Sequence, residues 1–187
     1  MKFDDASWHH DGDWPEGLDR THAFTHTGMF LAWLVLNGLA AREFLKEVAR
    51  EVSSLKSRQI TPGRFFEAMD GKFVDDMVGR EVLPFVEYYF ESGKWPYMDD
   101  YHEIVAEGLP TLYHVQDSWE NYDKIAPRIS ESYDAWKRAV EEGTMPRGKE
   151  EIRQLFIAAL GRRLKSMKFR FLKGDGDFKR ECTQSCP

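Results

Sequence analysis

Apolar residues recur along this chain mainly at helical spacing. Residues 28–36, GMFLAWLVL, are apolar on every side of a helix, and Asn37-Gly38 follows as a C-terminal stop. A second apolar stripe falls at i, i+1, i+4, i+8 and i+11, and it comprises Phe44, Leu45, Val48, Val52 and Leu55. The pattern predicts an αα-hairpin of one fully buried helix and one amphipathic helix.

Two prolines indicate further helix starts, because the backbone N–H of the first helical residue makes no hydrogen bond within the helix and proline can replace it there. Thr61-Pro62 predicts a short helix that ends at Gly71, and Pro84 predicts another that ends near Gly93. Four more helices are expected around Tyr101, from a cap at Asp117, from Pro127 to Gly143, and from Ile152 to Met167.

Strand-like alternation is confined to the two ends of the chain, at residues 1–3 and 168–172. It predicts a minor two-stranded pairing of the termini. The expected fold class is therefore all-α, with about six to eight helices in a single compact domain. Its expected parts are an acidic helical domain over residues 1–143, a basic C-terminal helix and short extension packed on it over 144–173, and a flexible tail over 174–187.

Composition favours a folded protein, because 42% of the residues are hydrophobic and 14% are aromatic. Cys182 and Cys186 are the only cysteines, so no disulfide framework can hold the body together. The start lacks the basic and apolar regions of a secretory signal, and no apolar run approaches the roughly 20 residues that a bilayer requires. A cytoplasmic protein without membrane contact is expected.

Charge is distributed unevenly along the chain. Residues 144–187 hold 11 Lys/Arg and 5 Asp/Glu, which leaves 15 and 27 for residues 1–143 and a net charge of −12 there. An acidic body repels nucleic acid and favours basic partners, whereas the basic end could contact phosphates or fold back onto the body.

The opening block, MKFDDASWHHDGDWP, concentrates carboxylates and imidazoles, which are suitable ligands for Zn²⁺ or Mn²⁺. His22 and His26 add an H-x3-H pair that would share one face of a helix. The block does not have the spacing of a calcium-binding EF-hand loop. If a metal binds, the predicted ligands come from Asp5, His9, His10, Asp11, His22 and His26.

The alternative for the same block is a polar surface loop held by two tryptophans. Indole rings bury large apolar areas, so Trp8 and Trp14 are expected to pack on the helical body and present the polar residues between them. This interpretation needs no metal or other cofactor. It predicts a partner-binding surface made of Asp5, Trp8, His9, His10, Asp11, Asp13 and Trp14.

Other catalytic candidates are weak. His102 lies beside Asp99 and Asp100, and His114 lies in LYHVQD, so either could act as a general base, although a structural role is the commoner one. Cys182 and Cys186 could form a small disulfide, share a metal with the histidines, or stay reduced. The sequence contains no glycine-rich phosphate loop, no G-x-S-x-G elbow and no HExxH.

Several longer stretches resemble one family. KFDDASWH, GDWP, THTGMFLAWLVLNGL, TPGRFF and LPTLYHVQDSWENYDKIAPRI are similar to a family of uncharacterised bacterial domains of unknown function that open with the same block. The resemblance covers roughly residues 2–137 and implies a bacterial, soluble, stand-alone domain. It assigns no functional residue.

Three functions are compatible with these features. The first is a protein-binding, immunity-type module that masks a basic partner, such as a toxin, through its acidic body. The second is a metal-dependent hydrolase built on the opening block. The third, which the acidic body disfavours, is a nucleic-acid-associated protein acting through the basic end. No catalytic motif is present, so the sequence favours the binding module over an enzyme.

Overall fold

Helix α1, Thr25–Leu36, runs through the middle of the fold, and each of its residues from Thr25 to Val35 is buried. A helix that is apolar all round can be stable in water only when neighbours cover every face. Trp33 and Leu34 are buried as expected, and Trp33 Nε1 donates to Ser130 Oγ at 2.9 Å.

The computed structural model describes residues 1–10, 14–91 and 96–144, together with the backbone of residues 169–172 and 177–180. The remaining helices there are α2 Arg42–Glu47, α3 Ala49–Lys56, α4 Pro62–Glu67, α5 Leu83–Tyr89, α6 Pro96–Tyr101 and α7 Trp119–Glu141. The strands are β1 Lys2–Asp5, β2 Lys72–Val74, β3 Phe169–Leu172 and β4 Asp177–Arg180. The prediction of a mainly helical protein is confirmed.

The predicted pairing of the two termini is wrong. Strand β1 pairs antiparallel with β2, which follows α4, and β3 pairs with β4 in a separate antiparallel hairpin. Strand β2 is only three residues long and carries little alternation, so the sequence pattern gave no sign of it. The predicted helix over 152–167 lies outside the described residues.

Two helix boundaries also differ from the prediction. The stripe from Phe44 to Leu55 is divided into α2 and α3 at Val48, where the backbone leaves helical geometry, and the local sequence has no Pro or Gly that explains the break. Helix α7 instead continues through Pro127, where a new start was expected. A proline costs one backbone hydrogen bond inside a helix, and the apolar residues on both sides of it, Ile125 and Ile129, are fully buried.

Asp117 caps a different helix from the one expected. Ser118 is the N-cap of α7, whereas the Asp117 carboxylate accepts the backbone N–H groups of Gly63 at 2.8 Å and Arg64 at 3.2 Å. It also accepts the hydroxyl of Thr61. Asp117 therefore caps α4 from across the fold.

Helix α4 crosses α1 at very close range. A Cβ placed on Gly28 of α1 would lie 2.5 Å from the carbonyl oxygen of Pro62 and 2.8 Å from Cα of Gly63. Glycine at position 28 is what allows the two backbones to touch.

Within the described part of the chain, no helix combines the length and the apolar character needed to cross a membrane.

Candidate metal centre

Strand β1 carries Asp4 into the interior. Its pairing with β2 sets Asp4 opposite Phe73, and the preceding Phe3 packs on Phe73 with ring centroids 5.0 Å apart. Asp4 is only 6% exposed. Its carboxylate accepts the backbone N–H of Asp5 at 2.8 Å and the hydroxyl of Thr27 from α1.

Two histidines face the same carboxylate. His9 belongs to the 3-10 turn that follows β1, and its Nε2 lies 2.9 Å from Asp4 Oδ1. His26 belongs to the first turn of α1, and its Nε2 lies 3.5 Å from Asp4 Oδ2. The two imidazole rings meet edge to face with centroids 4.7 Å apart. We call Asp4, His9 and His26 the Asp-His-His cluster.

The environment keeps Asp4 charged. Burial alone would raise the pKa of its carboxyl, but hydrogen bonds from His26 and His9 outweigh burial and hold the pKa of Asp4 well below its ordinary value. The carboxylate is therefore available as an anionic ligand at neutral pH.

The spacing of the cluster matches the ligands of a single ion. One nitrogen or oxygen atom from each of the three residues lies within 4.8 Å of the others. Two ligands at roughly 2.1 Å from one ion, set at roughly 90–110°, lie about 3.0–3.4 Å apart. The distances of 2.9 and 3.5 Å from Asp4 to the histidines lie about 0.1 Å beyond the lower and upper ends of that range.

A cavity of about 360 Å³ opens beside the cluster. Asp4, His9 and His26 form part of its wall. The other lining residues are mostly apolar, and they are Phe3, Phe90, Glu91, Met98, Leu112 and Tyr113. A small molecule in this space would lie directly against the cluster.

One polar atom of the cluster lacks a partner. His26 Nδ1 is buried and has no hydrogen-bond partner among the described residues. A buried ring nitrogen without a partner is costly, so such an atom points to a ligand or an ordered water. Thr25 Oγ1, in the residue before His26, and Tyr101 Oη, whose ring contacts that of His26, are also buried and have no hydrogen-bond partner among the described residues.

Among the predicted metal ligands that the structure describes, His9 and His26 come together in the cluster, whereas Asp5, His10 and His22 do not. His10 contacts the carbonyl oxygen of Arg20 at 3.1 Å, and His22 contacts that of Tyr113 at 2.7 Å. Asp5 is buried in a local network, because it accepts the ammonium of Lys2 at 2.6 Å and the hydroxyl of Ser7 at 2.7 Å. The hydrogen bond from Lys2 is the main cause that lowers the pKa of Asp5 to about 2, and the hydrogen bonds from Ser7 lower this pKa further.

Two tryptophans were expected to pack on the helical body, and the structure confirms this for Trp14 but not for Trp8. Trp14 packs on Tyr113 with ring centroids 4.6 Å apart, and its Nε1 donates to the carbonyl oxygen of Leu18 at 3.0 Å. Trp8 does not pack on the body, since 53% of it is exposed and its ring lies under the ammonium of Lys2. His9 points inward rather than to the surface. Asp11 and Asp13 lie outside the described residues, as do the side chains of Cys182 and Cys186.

The other histidine candidates, His102 and His114, do not belong to the Asp-His-His cluster. His102 is exposed, and the nearby Asp100 instead accepts the hydroxyl of Tyr89 at 2.6 Å and the guanidinium of Arg128 at 2.9 Å. His114 contacts the hydroxyl of Thr111 at 2.9 Å. Neither histidine has a buried carboxylate partner among the residues that the structure describes.

The predicted ligand set contains Asp5 and omits Asp4, although both stand in the opening block. Strand alternation puts neighbouring carboxylates on opposite faces, and only the pairing of β1 with β2 decides which one meets α1. Thr27 and Tyr113 were also missed, because their contacts with the cluster span 23 and 104 residues of sequence.

Comparison with known proteins identifies a family. The family model described as Domain of unknown function (DUF7832) matches residues 2–115, a range that contains the whole Asp-His-His cluster and Tyr113. No curated protein and no solved structure matches the chain. Because the match spans more than half of the sequence, the chain belongs to this family of domains of unknown function.

Proposed function

We propose that this protein is a metal-dependent hydrolase that binds one divalent cation at Asp4, His9 and His26. The observation that carries the proposal is the convergence of three ligand atoms within 4.8 Å on the wall of a cavity. Three protein ligands with open positions toward a cavity are typical of catalytic zinc sites, whereas structural sites use four.

The chemistry of the ligands supports a hydrolytic ion. Two imidazoles and one carboxylate suit Zn²⁺, Mn²⁺ or Fe²⁺. A divalent cation with a single anionic ligand keeps a net positive charge, so it would polarise a bound water molecule or a substrate carbonyl. Asp4 supplies the negative charge, and Thr27 and the backbone N–H of Asp5 fix the carboxylate in place.

The cavity indicates the kind of substrate. Its volume of about 360 Å³ is at the lower end of the range for small-molecule sites. Four of its lining residues are apolar, and they are Phe3, Phe90, Met98 and Leu112. We therefore expect a compact substrate, with an apolar or aromatic group beside a hydrolysable ester or amide bond.

The test compares two adjacent histidines. His9 belongs to the cluster, whereas His10 contacts the carbonyl oxygen of Arg20 and the ring of Trp14 and is not part of the cluster. Metal-free protein is titrated with Zn²⁺, Mn²⁺ and Fe²⁺, and the bound metal is measured for the wild type, Asp4→Asn, His9→Gln and His26→Gln, with His10→Gln as the matched control.

One equivalent of metal is expected in the wild type and in His10→Gln. The three cluster variants should lose more than about 100-fold in affinity, since even outer-shell changes cost 10–100-fold. Hydrolysis of p-nitrophenyl acetate and butyrate should follow metal content across the series. Binding that is equal in His9→Gln and His10→Gln, or no metal in the wild type, would overturn the proposal.

A second candidate, the immunity-type binding module, is supported by one surface feature. Trp8 is a large apolar side chain that is 53% exposed, on a body with a net charge of −12. Exposed tryptophan is enriched among the residues that dominate protein interfaces. A pull-down with wild type, Trp8→Ala and the exposed control Tyr88→Ala tests it: a basic protein captured by the wild type and by Tyr88→Ala only is the expected result. Equal capture by all three proteins would contradict the role of Trp8.

A further inference from the structure

Tyr113 links the cluster to a rigid support. Its hydroxyl lies 3.0 Å from His9 Nδ1, and its ring lines the cavity. Trp14 packs against the ring, and His22 Nδ1 contacts the Tyr113 carbonyl oxygen at 2.7 Å, where only an N–H of His22 can donate. Ring and backbone of Tyr113 are thus both held, so the position of its hydroxyl is fixed relative to His9.

The hydrogen atoms between these groups can be assigned for a neutral His9 ring. The Asp4 carboxylate can only accept, so His9 Nε2, at 2.9 Å, carries the ring proton and donates it. A neutral imidazole has a single N–H, and Nδ1 must therefore accept the hydrogen bond from the Tyr113 hydroxyl. In the metal-free protein, Tyr113 donates to His9.

We propose that cation binding at the Asp-His-His cluster reverses this hydrogen bond, so that His9 donates to Tyr113 and the Tyr113 O–H turns toward the cavity. The inference rests on the proposed metal site. A cation that takes His9 Nε2 needs the lone pair of that nitrogen, so the ring proton must reside on Nδ1, where the Tyr113 oxygen is the acceptor.

The exchange is balanced in protons. His9 loses the hydrogen on Nε2 and gains one on Nδ1 through exchange with solvent, so the ring stays neutral. Tyr113 keeps its own hydrogen and only rotates it about the C–O bond. Tyr113 is thereby a positioning residue for His9, and its freed O–H becomes a hydrogen-bond donor for an oxygen atom of whatever occupies the cavity.

The experiment reads the His9 tautomer directly. Protein labelled with ¹⁵N in its histidine rings is examined by NMR at about pH 8, without and with one equivalent of zinc chloride. Zinc affinity is measured in parallel for the wild type, for Tyr113→Phe, and for Tyr88→Phe, in which an exposed tyrosine is changed.

The wild type should show the Nε2–H form without zinc and the Nδ1–H form with zinc. Tyr113→Phe should bind zinc about 10–100-fold more weakly, and Tyr88→Phe should match the wild type. The same tautomer in both states, or equal zinc affinity in the two variants, would overturn this inference while leaving the metal site intact. A wild type that binds none of zinc, manganese and iron would instead overturn the proposed function. The wild-type spectra need no variant, so a poorly folded Tyr113→Phe would not remove the test.

Discussion

Trp8 and Trp14 have similar sequence surroundings and opposite structural roles. Trp14 is partly buried against Tyr113 and His10, with ring centroids at 4.6 and 5.0 Å. Trp8 is 53% exposed, and the ammonium of Lys2 lies over its ring, 5.3 Å from the ring centroid. Sequence alone could not separate them, because both lie in the same polar block, each within four residues of His10 and of an acidic residue.

This difference predicts unequal costs of substitution. Trp14→Ala should lower the free energy of unfolding by about 1–3 kcal/mol, because it removes buried indole area and leaves a gap beside Tyr113. Trp8→Ala should change it by less than about 0.5 kcal/mol, as expected for an exposed side chain. Urea denaturation of both variants measures the two values. Equal losses would show that Trp8 packs on the body after all.

Gly28 gives a second prediction at the residue scale. Gly28→Ala should lower the free energy of unfolding by about 1–3 kcal/mol, since the added methyl group would meet the backbone of Pro62 and Gly63 and force α1 away from α4. In exposed helix positions alanine is favoured over glycine, so the expected sign is opposite to the helix-propensity effect. Ser53→Ala, on the exposed face of α3, is the control and should be nearly neutral. A stabilised Gly28→Ala would contradict the close crossing.

Asp5 gives a prediction about acid stability. A carboxyl group whose pKa is lowered in the folded state stabilises the protein above its unfolded pKa and loses that contribution as the pH falls. Lys2 and Ser7 hold the pKa of Asp5 at about 2, so its contribution should disappear between about pH 4 and pH 2. Urea midpoints measured across this range should fall less steeply in Asp5→Asn than in Asp76→Asn, which changes an exposed carboxylate. Parallel curves would contradict the role of Asp5.

At the scale of elements, the sequence predicts what each helix contributes better than where it ends. The apolar run of α1 identified the central helix, because no other arrangement covers all its faces. The stripe of α2 and α3 identified their buried face but not the break at Val48. The proline at 127 predicted a boundary that the flanking buried side chains of α7 override. Local signals set a preference, and tertiary packing decides the boundary.

Capping between elements is testable through Asp117. Asp117→Ala removes the acceptor of two backbone N–H groups at the start of α4 and of the Thr61 hydroxyl. We expect a loss of about 1–2 kcal/mol in the free energy of unfolding. The control is Asp123→Ala, which removes an exposed ion pair with Arg58 that is worth about 0–1 kcal/mol. Similar losses in the two variants would mean that Asp117 acts only as a surface charge.

At the scale of the whole molecule, the candidate site is assembled from contacts that sequence patterns do not reveal. Pairing of β1 with β2 brings the start of the chain onto α1, and Tyr113 arrives from the turn before α7. The residue types of the opening block signalled metal chemistry, and two of the six ligands predicted from the block and the H-x3-H pair, His9 and His26, lie in the cluster. The third ligand depends on which face of β1 is covered, and that is decided by the three residues of β2.

Because the cluster ties β1 and its following turn to α1, metal binding should stabilise the whole domain. A ligand that binds only the native state adds RT ln(1 + [L]/Kd) to the free energy of unfolding, about 4 kcal/mol when free zinc exceeds Kd a thousandfold. For a chain of this size that corresponds to a rise in Tm of roughly 8–16 °C.

The measurement is a thermal melt with zinc and with EDTA, for the wild type, His26→Gln and His10→Gln. His26→Gln should show no zinc-dependent rise, and His10→Gln should show the full rise, since its ring lies outside the cluster. Zinc that binds at one equivalent without raising Tm would mean that the unfolded chain binds it equally well. That result would contradict a site made of His9 and His26, because these residues lie on different elements that come together only in the folded protein.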